Sequence, residues 1–146
     1  MPTAGRLAGA LTFMALAFIL TLLMVPLFPE GTVPRHFMQI NVVAAMMAGW
    51  TTVGSRAGRG MVAAFGVGLT GVAVFGFWMF FLHGFGMMLK EAFRKAYDGP
   101  MEAIAAIFEM MARLGGMLLT PEVLMVMIAG SIVAGLVTEH FARNYR

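Results

Sequence analysis

A run near the N-terminus, LAGALTFMALAFILTLLMVPLF (7–28), contains no charged side chain. A helix needs about 20 predominantly apolar residues to cross the hydrocarbon layer of a membrane. A signal-peptide core is shorter, at about 7–15 residues, and LTLLMVPLFPEG offers no A-x-A-like cleavage site. The run is therefore predicted to be a retained transmembrane span over residues 6–28, which ends at Pro26 and Pro29.

Further apolar runs follow the first, and together they predict an all-α, polytopic membrane protein. Only 12% of the residues are charged, against about 25% in soluble domains, which favours lipid as the surrounding solvent. We expect one transmembrane domain over residues 1–146, with four transmembrane helices and therefore both termini on one side. The three later spans are predicted over residues 36–54, 60–89 and 121–140.

Small residues recur at helical spacing around the third and fourth spans. Those of the third span are separated by four, four and three positions, so they share one face of the predicted helix. Because small side chains let helix backbones approach closely within a membrane, they are predicted to form helix-packing faces. The predicted packing residues are Gly60, Ala64, Gly68 and Gly71 in the third span and Gly130 and Ala134 in the fourth.

The charged stretch YDGPMEAIAAIFEMMARLGGMLLTPEVL (97–124) separates the third span from the fourth. Proline at the first helical position and Glu102 in the first turn are helix-start signals, and Gly115-Gly116 predicts the end. Helical spacing of the apolar residues between them predicts an interfacial amphipathic helix over residues 100–115. This helix packs on the spans or turns its apolar face outward to lipid or a partner. That face comprises residues 101, 104, 107, 108, 111 and 114, of which Met101, Ile104, Phe108 and Met111 are the candidate contact residues. The polar face carries the i,i+4 pair Glu109 and Arg113.

No residue pattern in the chain predicts catalysis or a resident cofactor. The absence of cysteine excludes disulfides, thiolate metal sites and thiol redox chemistry. Glu102 and Glu109 have a spacing that permits a general acid and base, or metal ligation. However, Glu109 is paired with Arg113 and no histidine is near them in the sequence. We expect a protein that is not an enzyme, with no catalytic, cofactor-binding or metal-binding residues and no cofactor.

The histidines and methionines raise two further metal hypotheses. His36 and His83 are predicted near one membrane surface and His140 near the other, whereas a bis-histidine haem needs facing imidazoles inside the bundle. Interfacial histidines are the expectation. Adjacent methionines such as Met46-Met47 point to different helix faces, so methionine is interpreted as adaptable apolar filler. The last residues, EHFARNYR (139–146), are predicted to lie in water or among headgroups.

The distribution of basic residues bears on partners and on orientation. They are scattered and several lie at the ends of apolar runs, which favours topology control over nucleic-acid binding. The two predicted sides of the membrane carry equal numbers of Lys and Arg. Because the shortest loop, SRAGRG (55–60), carries two arginines, we expect cytoplasmic termini in a bacterial inner membrane. The expected partner is the lipid bilayer, with a membrane-protein partner or a second copy of the chain beside it.

Several short segments, taken in order, resemble a known family. MPTAGRL, LFPEGT, RAGRG, GLTGV, YDGPMEA and LLTPEVL run almost from end to end of the chain. In this order they resemble the TrgA family, small membrane proteins of alphaproteobacteria named for an association with tellurite resistance. The resemblance implies an inner-membrane protein with a link to tellurite tolerance, and it supplies no catalytic residues. Because the chain has no thiol, it cannot itself be a thiol-dependent tellurite reductase.

Three functional hypotheses follow from these features. The first is a non-catalytic inner-membrane protein linked to tellurite or oxyanion tolerance. The second is an oligomeric anion-transport component, in which helix N-termini and Arg35 or Arg94 attract the anion. The third is an accessory subunit of a respiratory or photosynthetic membrane complex, which would use the small-residue faces and the interfacial helix for docking.

Overall fold

The computed structural model describes residues 3–94 and 97–145, and within these ranges the chain is all-helical with no β-strand. The first helix ends in a short 3-10 turn, Val25–Leu27, where Pro26 interrupts the backbone hydrogen bonds. The principal helices are α1 (Thr3–Met24), α2 (Phe37–Ala48), α3 (Met61–Ala92), α4 (Pro100–Leu118) and α5 (Pro121–Asn144).

The second helix continues beyond its α-helical part without a break in the helical backbone. A π-helical segment, Gly49–Val53, follows directly and leads into a last turn, Gly54–Arg56. The π-helical segment begins where Gly49 meets Gly9 of α1, so closely that a Cβ on either glycine would overlap the other backbone. The helical run therefore covers residues 37–56.

Helices α1, α2, α3 and α5 form a four-helix bundle. Each packs against two neighbours, in the cyclic order α1, α2, α3, α5, and adjacent helices run antiparallel. The centre is filled by large apolar side chains that are almost completely buried, including Phe13, Leu20, Phe75 and Met79. Gly5 of α1 lies beside Ala142 of α5, so the N- and C-terminal segments meet at one end of the bundle. The 25–36 connection and the C-terminal part of α3 lie at the other end.

The apolar helices are compatible with a multi-pass membrane protein. In the described residues, three helices are long and apolar enough to cross a membrane: Ala4–Leu27, Met61–Ala92 and Pro121–Asn144. The helix predicted as the second span is not among them, because its regular α-helical part has only 12 residues.

The predicted packing residues contact different neighbours rather than one. Ala64 and Gly68 of α3 face α5, where a Cβ on Gly68 would overlap the Ser131 carbonyl oxygen. Gly71 faces Val53 and Phe13 instead. On α5, Ala134 is buried, and Gly130 approaches Leu16 of α1.

Gly60 departs from the prediction that placed it on this packing face. It precedes α3, has a φ of 107° and has no neighbour within 4 Å of the position a Cβ would take. Positive φ favours glycine because a Cβ clashes with the backbone in this region. Gly60 therefore shapes the turn into α3, and the packing face begins at Ala64.

The fourth helix continues beyond the predicted stop at Gly115-Gly116 and ends at Leu118. Each glycine costs a helix about 1 kcal/mol relative to alanine. Burial of Leu114 and Leu118 in the bundle core outweighs this cost, since burying a leucine side chain yields about 1.5–3 kcal/mol. The α-helical run ends at Leu118, and Thr120 then accepts a hydrogen bond from the Val123 amide at the start of α5.

Candidate functional site

A cavity of about 440 Å³ opens at the end of the bundle opposite the termini. One wall is the loop before α2 together with its first turn, and the other is the C-terminal part of α3. The loop and the end of α3 contribute polar and charged side chains, and apolar residues of both helices complete the lining. The lining residues are Thr32, Pro34, Arg35, His36, Ile40, Leu82, His83, Gly86, Met87, Lys90, Glu91 and Arg94.

The cavity carries an excess of positive charge. Arg35, Lys90 and Arg94 supply three cations, against the single carboxylate of Glu91. The N-terminus of α2 and the C-terminus of α3 both lie here, so their opposite helix-dipole charges offset one another. The net positive potential of the cavity therefore comes from the side chains.

Glu91 is held on one side by a tyrosine. The hydroxyl of Tyr97 donates a hydrogen bond to its carboxylate over 3.1 Å. Desolvation and the neighbouring Glu91 raise the pKa of Tyr97, so the phenol keeps its proton and remains a donor. This bond occupies one of the acceptor sites on the only carboxylate that lines the cavity.

A buried polar chain lies behind the cavity. His83, which is 3% exposed, lines the cavity and its Nε2 lies 2.9 Å from Asn41 Oδ1. The Asn41 amide nitrogen donates to Thr21 Oγ1 over 2.9 Å, and Thr21 in turn donates to the Ala17 carbonyl over 2.7 Å. The chain links α3, α2 and α1, so one polar network connects the three helices.

The position of His83 corrects the expectation of an interfacial histidine. Its ring is enclosed by the bundle and packs on Phe37 at a centroid distance of 4.7 Å. His36 lines the same cavity from its exposed rim, whereas His140 lies on α5 near the other end, within 3.0 Å of the Asn144 amide nitrogen. In the sequence, the signal that could have indicated a buried polar partner for His83 is Asn41, a polar residue within an apolar predicted span.

A second buried polar contact lies at the terminal end of the bundle. Glu139 of α5, which is 2% exposed, accepts hydrogen bonds from the backbone amides of Gly58 (2.6 Å) and Gly60 (2.7 Å). The prediction that the segment from residue 139 lies in water or among headgroups is therefore wrong for Glu139. Its carboxylate closes the 57–60 hairpin onto α5 and lies at the positive N-terminal end of α3.

Helix α4 packs on the C-terminal part of α3 with one edge of its predicted apolar face and turns the other edge outward. Its inward residues are Ile107, Met110, Leu114 and Leu118. Ile107 and Leu114 of the predicted apolar face are thus buried, and Met111 is partly buried against Gly84. The outward residues are Met101, Ile104 and Phe108, which are 76%, 48% and 57% exposed, together with the exposed pair Glu109 and Arg113 at 3.2 Å.

The described residues contain no group of three or more His, Asp or Glu side chains arranged to hold a metal ion. Glu102, one of the two carboxylates weighed for acid–base chemistry, accepts a hydrogen bond from the Asp98 amide over 2.8 Å. Glu109 pairs with Arg113. Both carboxylates are exposed. Glu102 interacts with the backbone just before its helix, and Glu109 interacts with a side chain one turn later on the same helix.

Comparison of the chain with protein-family models, with curated proteins and with solved structures gives no significant match.

Proposed function

We propose that the protein is a non-enzymatic, multi-pass inner-membrane protein that binds an oxyanion in its cationic cavity and thereby contributes to tellurite tolerance. The observation that carries the proposal is the convergence of Arg35, Lys90 and Arg94 on one cavity. Arginine presents a planar fork of N–H donors that matches oxyanion geometry, and lysine adds a point charge. The link to tellurite rests on the resemblance to the TrgA family.

The proposal includes four spans. Residues 37–56 form one helical run, which at about 1.5 Å per residue reaches about 30 Å, the thickness of the hydrocarbon layer. Helix α3 has 32 residues and is longer than this layer requires, so its last turns with Lys90 extend to the membrane surface. In this arrangement the cavity opens at the surface, and α4 lies in the interface beside it.

The two ends of the bundle then face opposite compartments. Arg6, Arg56, Arg59 and Arg143 lie on the terminal side, which we place in the cytoplasm. The cavity consequently faces the periplasm, where an incoming oxyanion is first met. A fusion at the C-terminus of a reporter that is active only in the periplasm should remain inactive; activity would reverse this orientation.

Binding to the purified protein tests the cavity directly. Tellurite titrated into detergent-solubilised protein should bind the wild type, and the double variant Arg35→Gln/Arg94→Gln should bind at least about tenfold more weakly, since two charge-assisted contacts are lost. The matched control is Arg59→Gln/Arg143→Gln, which removes the same charge at the other end. Equal binding by the two double variants would show that the cavity is not the site.

A growth assay tests the link to tolerance. Deletion of the gene should lower the tellurite concentration that stops growth, and the wild-type gene should restore it. Complementation with the Arg35→Gln/Arg94→Gln variant should fail although the variant reaches the membrane in normal amounts. Unchanged sensitivity in the deletion strain would contradict the tolerance role.

A specific observation favours an accessory-subunit role as the second candidate. Met101, Ile104 and Phe108 of α4 form an exposed apolar face, and Phe77, Trp78 and Phe85 of α3 are also exposed. Affinity purification in a mild detergent should retain a membrane complex if these faces dock on a partner. Recovery of the bare chain by this method would favour the oxyanion-binding role alone.

A further inference from the structure

We propose that the cavity selects an oxygen-rich anion that keeps a hydroxyl on its central atom, because Nδ1 of His83 accepts a hydrogen bond from that hydroxyl. The inference rests on the proposed function, since it concerns the same cavity. It adds a specificity-determining residue and a ligand class. An anion of this class is singly protonated, as the hydrogen forms of phosphate and of tellurite are.

The direction of the buried hydrogen bonds fixes the tautomer of His83. Thr21 has one hydroxyl proton, which it donates to the Ala17 carbonyl, so its Oγ1 can only accept from Asn41. The Asn41 amide is thereby oriented with Nδ2 toward Thr21 and Oδ1 toward His83. An amide oxygen only accepts, so the proton of the imidazole lies on Nε2 and Nδ1 carries a lone pair.

The Nδ1 atom of His83 is not completely enclosed by the protein. No completely buried side-chain nitrogen or oxygen in the described part of the chain lacks a hydrogen-bond partner. The Nδ1 atom has no partner among those residues, so it is accessible, and we infer that its lone pair faces the cavity that His83 lines.

A lone-pair acceptor within a cationic cavity discriminates between anions that carry a hydroxyl and anions that do not. The cations supply donors for the anionic oxygens of the ligand, and Nδ1 requires one donor in return. Phosphate retains at least one proton near neutral pH and satisfies both requirements. Sulfate carries no proton at this pH, so the Nδ1 lone pair would face a lone pair of a sulfate oxygen. Sites that hydrogen-bond a ligand hydroxyl discriminate strongly against analogues that lack it.

The experiment compares inorganic phosphate with inorganic sulfate on detergent-solubilised wild-type protein. Phosphate should bind at least about tenfold more tightly, a factor that corresponds to about 1.4 kcal/mol. In His83→Gln, the Gln Nε2 still donates to Asn41 while the Nδ1 acceptor is lost, and the preference should fall to about unity. The matched control is His36→Gln at the exposed rim, which should retain the preference.

A spectroscopic measurement on the wild type avoids dependence on the variant's folding. The ¹⁵N spectrum of histidine-labelled protein should show the Nε2-protonated tautomer of His83, and phosphate but not sulfate should shift its Nδ1 signal. Equal affinities for the two anions, or a preference that survives in His83→Gln, would overturn the inference and leave oxyanion binding intact. Failure of both anions and of tellurite to bind the wild type would refute the proposed function itself.

The hydroxyl-bearing anion has two sources, a free ion or a lipid headgroup with a phosphate monoester. Protein in phosphatidylcholine nanodiscs, with or without phosphatidic acid, separates them. Competition between phosphatidic acid and inorganic phosphate would assign the lipid, and absence of competition would assign the free ion. Phosphatidylglycerol is a diester without a phosphate hydroxyl, so equal competition by it would count against the inference.

Discussion

At the scale of single residues, two buried polar side chains do more than the sequence indicates. Glu139 and His83 are both almost completely buried, and hydrogen bonds offset the cost of burying each side chain. The partners of Glu139 are backbone amides of a hairpin far away in the chain. Such partners leave no side-chain pattern in the sequence, which explains why Glu139 was expected in water.

The two hydrogen bonds that Glu139 accepts from backbone amides lead to a first prediction. In Glu139→Gln the amide oxygen can accept only one of the N–H groups of Gly58 and Gly60, and its NH₂ opposes the other. Loss of a hydrogen bond to a buried charged group costs about 2 kcal/mol. The midpoint of SDS-induced unfolding in detergent micelles should therefore fall.

The control for this prediction is Glu122→Gln in the first turn of the same helix. Glu122 is exposed, so the loss of its charge should leave the free energy of unfolding within about 0.5 kcal/mol of the wild type. If both variants were equally stable, the two short contacts to the hairpin would contribute nothing to the fold.

At the scale of helices, close backbone contacts at glycines set the interhelical distances. A Cβ on Gly68 would overlap the Ser131 carbonyl, whereas Gly66, two residues earlier on α3, has open space at that position. Gly68→Ala should therefore destabilise the bundle by about 1–3 kcal/mol through overpacking. Gly66→Ala should be neutral or stabilising by up to about 1 kcal/mol, because alanine favours the helix.

The pair of glycine variants has a clear readout in SDS-induced unfolding. Both introduce the same methyl group into the same helix, so propensity and hydrophobicity are matched between them. A Gly68→Ala protein as stable as Gly66→Ala would mean that α3 and α5 do not approach each other closely at Ser131.

The choice of the face that α4 turns toward the bundle leads to the next prediction. Leu118 is almost completely buried in the bundle core, while Phe108 is 57% exposed. Leu118→Ala should cost about 2–5 kcal/mol through loss of burial and the cavity that it leaves. Phe108→Ala should leave the stability of the isolated protein within about 0.5 kcal/mol. Thermal unfolding in detergent distinguishes the two variants. If Phe108→Ala were the less stable variant, Phe108 rather than Leu118 would pack on the bundle.

The positions of the helices were predictable from the sequence, whereas the edge of α4 that packs on α3 was not, for physical reasons. Long apolar runs and proline or glycine breaks determine where helices form, so the all-helical architecture follows from hydropathy. The apolar stripe of α4 is wide, since residues 107, 110 and 114 lie beside residues 101, 104 and 108. The choice between its two edges depends on the shape of α3, including the gap at Gly84 that Met111 occupies.

At the scale of the whole molecule, the cavity joins residues that no local motif connects. Arg35 follows α1 and precedes α2, whereas Lys90 and Arg94 lie at the end of α3. They meet because α2 and α3 run antiparallel, which brings the start of one helix to the end of the other. The sequence indicated each arginine as a candidate anion ligand, and the bundle topology brings them together.

The topology of the bundle supports a last prediction, that residues 37–56 cross the membrane. The chain has no cysteine, so a single introduced cysteine can be labelled without background. Thr32 lies in the connection before α2, Ser55 lies in the last helical turn at the other end of the 37–56 run, and both are exposed. If α2 is a span, Thr32→Cys should react with a membrane-impermeant maleimide added to intact cells, and Ser55→Cys should react only after the membrane is opened.

Labelling of both cysteines from the same side would instead show that α2 lies along the surface and that only three helices cross. The four-span arrangement would then fail, and with it the opposite placement of the two ends of the bundle. Helix α2 carries Asn41 and ends at the π-helical segment against Gly9, so a surface position would also require these contacts to break. The buried hydrogen bonds from Asn41 to Thr21 and His83 therefore favour the spanning arrangement, since each would otherwise have to be lost or exchanged for water.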